Sequence, residues 1–203
     1  MKLYDFEYSG NCYKIRLLLS MLGLSYQREP IDMLAQQQKS PEFLRLHPKG
    51  ELPVLEDAGT VIRDSNAIMV YLASRYAPDW YPHDPKTQAD VQYWLSTAAN
   101  EVHHGLAAAR AHKVFGFARN YAEAALKAQA TLTLLDRHLA EHTWLVVDRV
   151  TIADVAMYPY AALAEQGEIL LAPYRHVRAW FERIEKLSGY LPFPVYPHAG
   201  VQK

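Results

Sequence analysis

The pattern of apolar positions changes in character near residue 80. Before that point, short apolar runs typical of strands alternate with residues spaced three or four apart on one helix face. Residues 2–6 form the first such run, and Ile15, Leu18 and Leu22 recur at helical spacing directly after it. Beyond that point the apolar residues follow helical spacing throughout. The pattern therefore predicts an α/β part followed by an all-helical part.

The first part contains enough elements for one small sheet. After the first helix, the predicted elements are a strand at 26–31, a short helix at 41–46, strands at 52–56 and 61–63, and a helix that Ser65 caps. The turn cluster at 57–60 predicts that the last two strands form a hairpin. The order β-α-β-α-β-β-α predicts a compact unit with its helices packed on one sheet.

Three prolines between residues 77 and 85 predict a linker. The helices predicted after it run approximately over 85–112, 120–142, 152–165 and 174–187. The tail contains Pro192, Pro194 and Pro197, so it is predicted to be a loop. We therefore expect a domain at 1–77, a linker at 78–85 and an all-helical domain at 86–203.

Charge and cysteine content narrow the class of protein. The chain has 203 residues and a net charge of −1, from 21 basic and 22 acidic residues, which is not the electrostatic footprint of a nucleic-acid binder. Its single cysteine excludes an internal disulfide framework and is typical of a reducing compartment. Acidic residues interrupt the N-terminus, and no apolar stretch approaches the length of about 20 residues that spans a membrane. These features predict a cytoplasmic protein with no membrane contact.

The turn between the first strand and first helix carries the most informative residues. It reads Ser9-Gly10-Asn11-Cys12, which places a hydroxyl beside the unpaired N–H groups of a helix N-terminus, a place that stabilises anions. Ser9 and Cys12 have the spacing of a redox C-x-x-C motif, with serine in the attacking position. A hydroxyl there can hold the thiolate of another molecule but can hardly form a disulfide. The turn therefore suggests a thiol cofactor.

Three more signatures follow in order: Leu52-Pro53-Val54-Leu55, Asp64-Ser65 and Thr151-Ile152-Ala153-Asp154. With the Ser9 turn, they make the chain resemble the cytosolic glutathione transferase family over essentially its whole length. The serine-type turn is most similar to theta-like and bacterial members. The resemblance implies an α/β thioredoxin-like N-terminal domain, an all-α C-terminal domain and a homodimer. It also implies that glutathione is the co-substrate, that a small hydrophobic electrophile is the partner, and that no metal is needed.

The resemblance implies how the two ends of the glutathione backbone are held. Ser65 would bind the γ-glutamyl carboxylate at a helix N-terminus, and Asp64 would receive the neighbouring ammonium. The alternative is that Ser65 is only an N-cap. Pro53 would be cis, so that the backbone of Leu52 pairs with the cysteinyl part like an added strand. The alternative is an ordinary trans proline at the start of an edge strand.

The glycyl carboxylate of glutathione needs a cation or amide donors. By the same resemblance, Gln38, Lys39 and Lys49 are the candidates. Glu51 departs from the pattern, because theta-like relatives can carry lysine there and a carboxylate would repel the ligand. Either Glu51 points away from the site or glutathione binds weakly.

Ser9 is the first candidate for the group that stabilises the glutathione thiolate, and the alternative is that it only caps the first helix. Asn11 is the second candidate, because a side-chain amide could donate to the same sulfur. Cys12 is the third, since a thiol at a helix N-terminus is expected to have a lowered pKa. The alternative for Cys12 is a small buried hydrophobe.

The predicted long helix after the linker offers positions for the second substrate. Asn100, His103, His104 and Ala107 share one face if the segment is α-helical. That face would line the electrophile pocket, form a dimer contact or be plain surface. Separately, His138 and His142 lie in an H-x-x-E-H sequence, which lacks a third metal ligand, so we expect no metal site.

The sequence therefore predicts a transferase that joins the sulfur of glutathione to a hydrophobic electrophile. Two other functions stay open. One is a glutathione-dependent thiol-disulfide oxidoreductase that uses Cys12. The other is a non-catalytic ligand-binding or interaction protein of the same fold, for which Glu51 is the main argument.

Overall fold

A computed structural model describes residues 1–194 and residue 196. The chain forms two compact units. The first comprises Met1–Tyr81 together with Leu187–Pro194, and Pro82–Lys186 makes up the body of the second.

The first unit contains a four-stranded sheet with its helices. In chain order its elements are β1 (Lys2–Asp5), α1 (Gly10–Met21), β2 (Gln27–Pro30), a 3₁₀ turn (Gln37–Lys39), α2 (Pro41–Leu46), β3 (Val54–Asp57), β4 (Thr60–Arg63), α3 (Ser65–Tyr76) and a 3₁₀ turn (Pro78–Trp80). The strand order is β2-β1-β3-β4. Strands β1 and β2 are parallel, whereas β3 is antiparallel to both β1 and β4. The predicted order of elements is confirmed.

The strand register brings several loops to one end of this sheet. Tyr4 pairs with Val54, and Val54 also pairs with Arg63. The carboxyl end of β1, the start of β3 and the end of β4 therefore lie side by side. Because β2 is parallel to β1, the carboxyl end of β2 lies at the same end of the sheet.

The returning segment 187–194 packs against α1. The Tyr13 hydroxyl donates to the Leu191 carbonyl, and the ring of Tyr13 contacts that of Phe193 edge-to-face, with 5.0 Å between ring centroids. The expected boundary, which put all of 86–203 in one domain, therefore differs from the observed units. The loop predicted for the tail is confirmed at Pro192 and Pro194, whereas Pro197 lies outside the described residues. The sequence does not indicate what this loop packs against.

The second unit is all-helical, as the pattern predicts. It contains α4 (Pro85–Thr97), a π-helix (Ala98–Ala107), α5 (Ala108–Phe115), α6 (Tyr121–Glu141), α7 (Ile152–Ala162), a 3₁₀ turn (Ala164–Gly167) and α8 (Arg175–Glu185). Helix α4, the π-helix and α5 form one continuous helical segment. In the described part of the chain, no helix combines the length and hydropathy needed to cross a bilayer.

Asp154 organises the core of the second unit. Thr151 and Asp154 form a reciprocal capping box at the start of α7. The fully buried Asp154 carboxylate also accepts from the Leu145 N–H at 3.1 Å and from Nε1 of Trp180 at 3.0 Å. Nε1 of Trp94 donates to the Leu145 carbonyl at 2.9 Å. One carboxylate therefore connects α7 with α8 and, through the Leu145 backbone, with α4.

Candidate functional site

Ser9 ends the loop from β1 to α1 and is the N-cap of α1. Its Oγ accepts from the Cys12 N–H at 3.3 Å, and its own N–H donates to the Phe6 carbonyl at 3.0 Å. Capping uses an acceptor site of the hydroxyl and leaves its proton to be donated. A thiolate is a suitable acceptor, since hydrogen bonding from Ser9 opposes the rise in the pKa of the neighbouring Cys12 thiol. Half-buried at a helix N-terminus, the Ser9 hydroxyl can therefore donate to an anion placed beside it.

Cys12 is fully buried in the first turn of α1, and its Sγ accepts from the Phe6 N–H at 3.4 Å. Burial, together with the nearby Asp5 carboxylate, raises the pKa of the Cys12 thiol to about 12. The expectation that the helix N-terminus lowers this pKa is wrong. Desolvation opposes thiolate formation more strongly than the helix N-terminus favours it.

We expect Cys12 to be inert toward disulfides in the folded protein. Incubation with glutathione disulfide at pH 8 should leave the protein mass unchanged, because the thiolate is absent and the sulfur is inaccessible. Mass spectrometry checks this, with the denatured protein as the control that should react at its single cysteine. A reductant-sensitive, glutathione-sized mass gain on the folded protein would contradict this expectation.

Asn11 is half-buried in the first turn of α1. None of the residues that the structure describes hydrogen-bonds its side chain. Its amide therefore remains a second possible donor at the same helix terminus.

The Leu52–Pro53 peptide bond is cis, as the resemblance implies. It directly precedes β3, at the end of the sheet where the Ser9 loop begins. Leu52 is half-buried, and its backbone N–H and C=O have no partner among the residues described. An extended peptide could therefore pair with Leu52 in the manner of an added strand.

Asp64, and not Ser65, is the N-cap of α3. The Asp64 carboxylate accepts from the Asn66 N–H at 2.9 Å and the Ala67 N–H at 3.0 Å. The prediction that Ser65 caps this helix is therefore wrong, because the backbone turns one residue earlier, at Asp64 with φ of 72°. Ser65 is the buried first residue of α3, and no described residue bonds its hydroxyl. Because Asp64 already occupies the N–H groups of Asn66 and Ala67, the groups that can bind a ligand carboxylate here are the Ser65 hydroxyl and the Ser65 N–H.

The segment that follows β2 holds Gln38 and Lys39. Gln38 is 4% exposed, and its Oε1 has no hydrogen-bond partner among the described residues. Nζ of Lys39 donates to the Lys49 carbonyl at 2.8 Å, which joins this segment to the turn at residues 47–51. The Lys49 side chain is exposed.

Glu51 is exposed, and its Oε2 lies 4.0 Å from Nε2 of His47. Nδ1 of His47 accepts from the Lys49 N–H at 3.3 Å, which places the proton of the neutral ring on Nε2, facing Glu51. Burial lowers the pKa of His47, and the Glu51 carboxylate opposes the lowering. Glu51 is therefore directed toward His47.

The sequence analysis does not identify two residues of this region, His47 and Lys14. His47 carries no recognisable motif. Lys14 is 2% exposed on α1, where burial lowers its pKa to about 8 and the charge of Asp64 opposes the lowering. The position of Lys14 within the apolar stretch of α1 is the one feature of the sequence that indicates its burial.

The candidates for the second substrate lie in the second unit, on the π-helix. Asn100, His103 and His104 are exposed there, whereas Ala107 is buried. The expected common face is therefore wrong for Ala107. It assumed α-helical spacing, but hydrogen bonds from residue i to i+5 widen each turn and rotate later positions away.

The H-x-x-E-H segment ends α6. The rings of His138 and His142 are stacked, with centroids 4.2 Å apart, and Nδ1 of His142 lies 2.9 Å from the His138 carbonyl. Within the described residues, no three His, Cys, Asp or Glu side chains are grouped closely enough to hold a metal ion.

The chain matches two protein-family models. Residues 3–80 match the glutathione S-transferase N-terminal domain, and residues 104–187 match the glutathione S-transferase C-terminal domain. Glutathione S-transferase 3 of Zea mays is 30% identical over 217 residues, in an alignment that covers 97% of each chain. Glutathione S-transferase 2 of Anopheles gambiae is 28% identical over 183 residues and covers 87% of this chain and 88% of its own.

Solved structures agree with these matches. A glutathione S-transferase from Pseudomonas fluorescens superposes with a TM-score of 0.89 at 30% identity, covering 95% of this chain and 98% of its own. A glutathione transferase homolog from Drosophila mojavensis, solved with bound glutathione, superposes with a TM-score of 0.83 at 26% identity, covering 92% and 87% respectively.

Proposed function

This chain belongs to the glutathione S-transferase family, and we propose that its first unit binds glutathione and ionises the thiol through the Ser9 hydroxyl. The thiolate then attacks a small hydrophobic electrophile. The observation that carries this proposal is the half-buried Ser9 hydroxyl at the N-terminus of α1, where capping uses an acceptor site of its oxygen and not its proton.

The energies are sufficient without a general base. A free thiol has a pKa of about 8.5, and lowering it by about 2 units requires about 2.7 kcal/mol. A hydrogen bond to a charged acceptor contributes about 1.5–3 kcal/mol, and a helix N-terminus adds about 0.3–1 kcal/mol. One hydroxyl at one helix terminus therefore supplies the required stabilisation. Holding both reactants together accelerates the reaction further.

The rest of glutathione would lie along the same end of the sheet. Its γ-glutamyl carboxylate would bind Ser65 and the N-terminus of α3, and its ammonium would face Asp64. The Leu52 backbone would pair with the cysteinyl part. The N–H groups of the Gln38 side-chain amide and the Lys39 ammonium would donate to the glycyl carboxylate. Because Glu51 faces His47, it need not oppose that carboxylate.

The second substrate and the assembly are further parts of the proposal. Asn100, His103 and His104 are proposed to contact the electrophile. We also propose a cytoplasmic homodimer, for which the family membership and the single cysteine are the support.

Ser9→Ala is expected to raise the pKa of the thiol of bound glutathione by more than one unit while leaving the affinity for glutathione nearly unchanged. Removing the hydroxyl takes away a donor that acts mainly on the thiolate. Ultraviolet absorbance of the thiolate against pH measures the pKa, and calorimetric titration measures the affinity.

Ser40→Ala is the matched control, because Ser40 caps α2 with a similar bond, from the Phe43 N–H at 3.2 Å. Both variants should lose about 1 kcal/mol of stability as helix caps. Only the Ser9 variant should shift the titration. An unshifted titration would transfer the role to Asn11, and failure to bind immobilised glutathione would favour a non-catalytic protein.

A further inference from the structure

A buried group of charges lies beneath the Ser9 loop. NH1 of Arg16, on α1, donates to both carboxylate oxygens of Asp5 at 2.7 Å. Nε of Arg28, on β2, donates to Oδ2 of the same carboxylate. Asp5 is fully buried and Arg16 is 5% exposed, whereas Arg28 is partly open to solvent. The two arginines thus share one carboxylate but differ in burial.

Only Arg16 extends this group to the backbone of the loop. Its NH2 donates to the Glu7 carbonyl at 2.7 Å. Glu7 lies two residues before Ser9, and the loop between them closes with the bond from the Ser9 N–H to the Phe6 carbonyl. Arg28 approaches only the exposed carboxylate of Glu7, at 3.9 Å, and makes no described bond to the loop backbone.

We propose that Arg16 is a positioning residue for Ser9, fixing the loop so that the Ser9 hydroxyl meets the sulfur of bound glutathione. The inference rests on the proposed function of Ser9. The planar guanidinium matters here because one rigid group spans both the Asp5 carboxylate and the Glu7 carbonyl. A lysine could keep the charge but could not hold both partners in a fixed geometry.

The simpler explanation is that Arg16 only compensates the buried charge of Asp5. Arg28 distinguishes the two, since it also pairs with Asp5 but does not hold the loop. A purely electrostatic or stabilising role predicts comparable effects from both arginines. A positioning role predicts that only Arg16 controls the Ser9 hydrogen bond.

The experiment compares Arg16→Lys with the control Arg28→Lys, alone and combined with Ser9→Ala. Thiolate absorbance against pH, with glutathione bound, is the main readout. Arg16→Lys should raise the pKa of the bound thiol by about half a unit to one unit, which lowers the thiolate fraction about three- to tenfold at a pH well below it. Turnover of a generic aromatic halide should fall accordingly at pH 6.5 and recover as the pH rises. Arg28→Lys should change neither quantity.

The combined variant decides the mechanism. If Arg16 acts through Ser9, adding Arg16→Lys to Ser9→Ala should give no further shift. Additive shifts, or equal effects of Arg16→Lys and Arg28→Lys, would overturn the inference while leaving Ser9 in place. A Ser9→Ala variant that titrates like the wild type would overturn both proposals.

Arg16→Lys could fail at the folding step, which circular dichroism would reveal. Asp5→Asn is then the second variant, since it releases Arg16 from its charged partner and retains the guanidinium. It should raise the pKa of the bound thiol in the same direction, again only when Ser9 is present. An unshifted titration in folded Asp5→Asn would count against the positioning role.

Discussion

Replacing Asp154 with alanine is expected to lower the free energy of unfolding by about 4 kcal/mol, because each buried donor left without a partner costs about 1–3 kcal/mol. The donors that lose their acceptor are the N–H groups of Thr151 and Leu145, Nε1 of Trp180 and the Thr151 hydroxyl. The helix cap of α7 is lost at the same time. Chemical denaturation followed by fluorescence and circular dichroism measures the loss.

The control for this change is Asp84→Ala, which removes an exposed cap from α4. It should cost far less, because the freed N–H of Thr87 can turn to water. Equal losses in the two variants would show that the buried network around Asp154 adds nothing beyond capping.

The effect of Asp154 should also depend on pH. Burial raises the pKa of Asp154 from 3.8 to about 6, so the folded state binds a proton that the unfolded state releases between those values. The stability linked to this proton is fully present below pH 3.8 and is lost as the pH rises through 6. The difference in unfolding free energy between wild type and Asp154→Asn should therefore be larger at pH 5 than at pH 7. If this difference instead became larger as the pH rises, it would contradict a raised pKa for Asp154 in the folded state.

Gly189→Ala is expected to lower the free energy of unfolding by about 3 kcal/mol, through strain at a positive φ and overpacking. The φ of Gly189 is +76°, and an added Cβ would lie 2.5 Å from the Ser20 carbonyl oxygen and 2.7 Å from Cα of Met21. Neither atom belongs to a flexible side chain, so segment 187–194 must move away from α1. Thermal and denaturant unfolding measure the loss.

Gly23→Ala separates the two contributions. Gly23 has a similar φ of +64° but no atom within 4 Å of the added Cβ, so it should lose only the strain energy, about 1 kcal/mol. Similar losses of unfolding free energy in both variants would mean that the close packing of Gly189 against α1 does not contribute to the effect.

The apolar periodicity predicts most of this fold because burial of one face dominates the choice of element. Helix α2 has the predicted bounds of residues 41–46, and strand β2 differs from its prediction by one residue at each end. The π-helix at Ala98–Ala107 was not predictable in this way, since α- and π-helices bury similar apolar runs. The choice of a π-helix depends on tertiary packing, which the local sequence does not reveal.

The candidate site was predictable only in part. The loop positions of Ser9 and Leu52 follow from turn chemistry next to apolar strands. Asp64 and Ser65 are both favourable N-cap residues, so residue preference alone does not choose between them. The positive φ of Asp64, which the sequence does not reveal, places the start of the helix after that residue. The position of Cys12 at a helix N-terminus, which favours a low thiol pKa, is visible in the sequence, but the depth of burial that raises this pKa is not.

The return of residues 187–194 to α1 has a consequence for synthesis of the protein. The first unit is assembled from two stretches of chain that leave the ribosome far apart in time. Its sheet can form early, but the partners of Tyr13 arrive only after the helices between Pro85 and Glu185 have been translated. Completion of the N-terminal fold is thereby delayed until the helical part has also emerged.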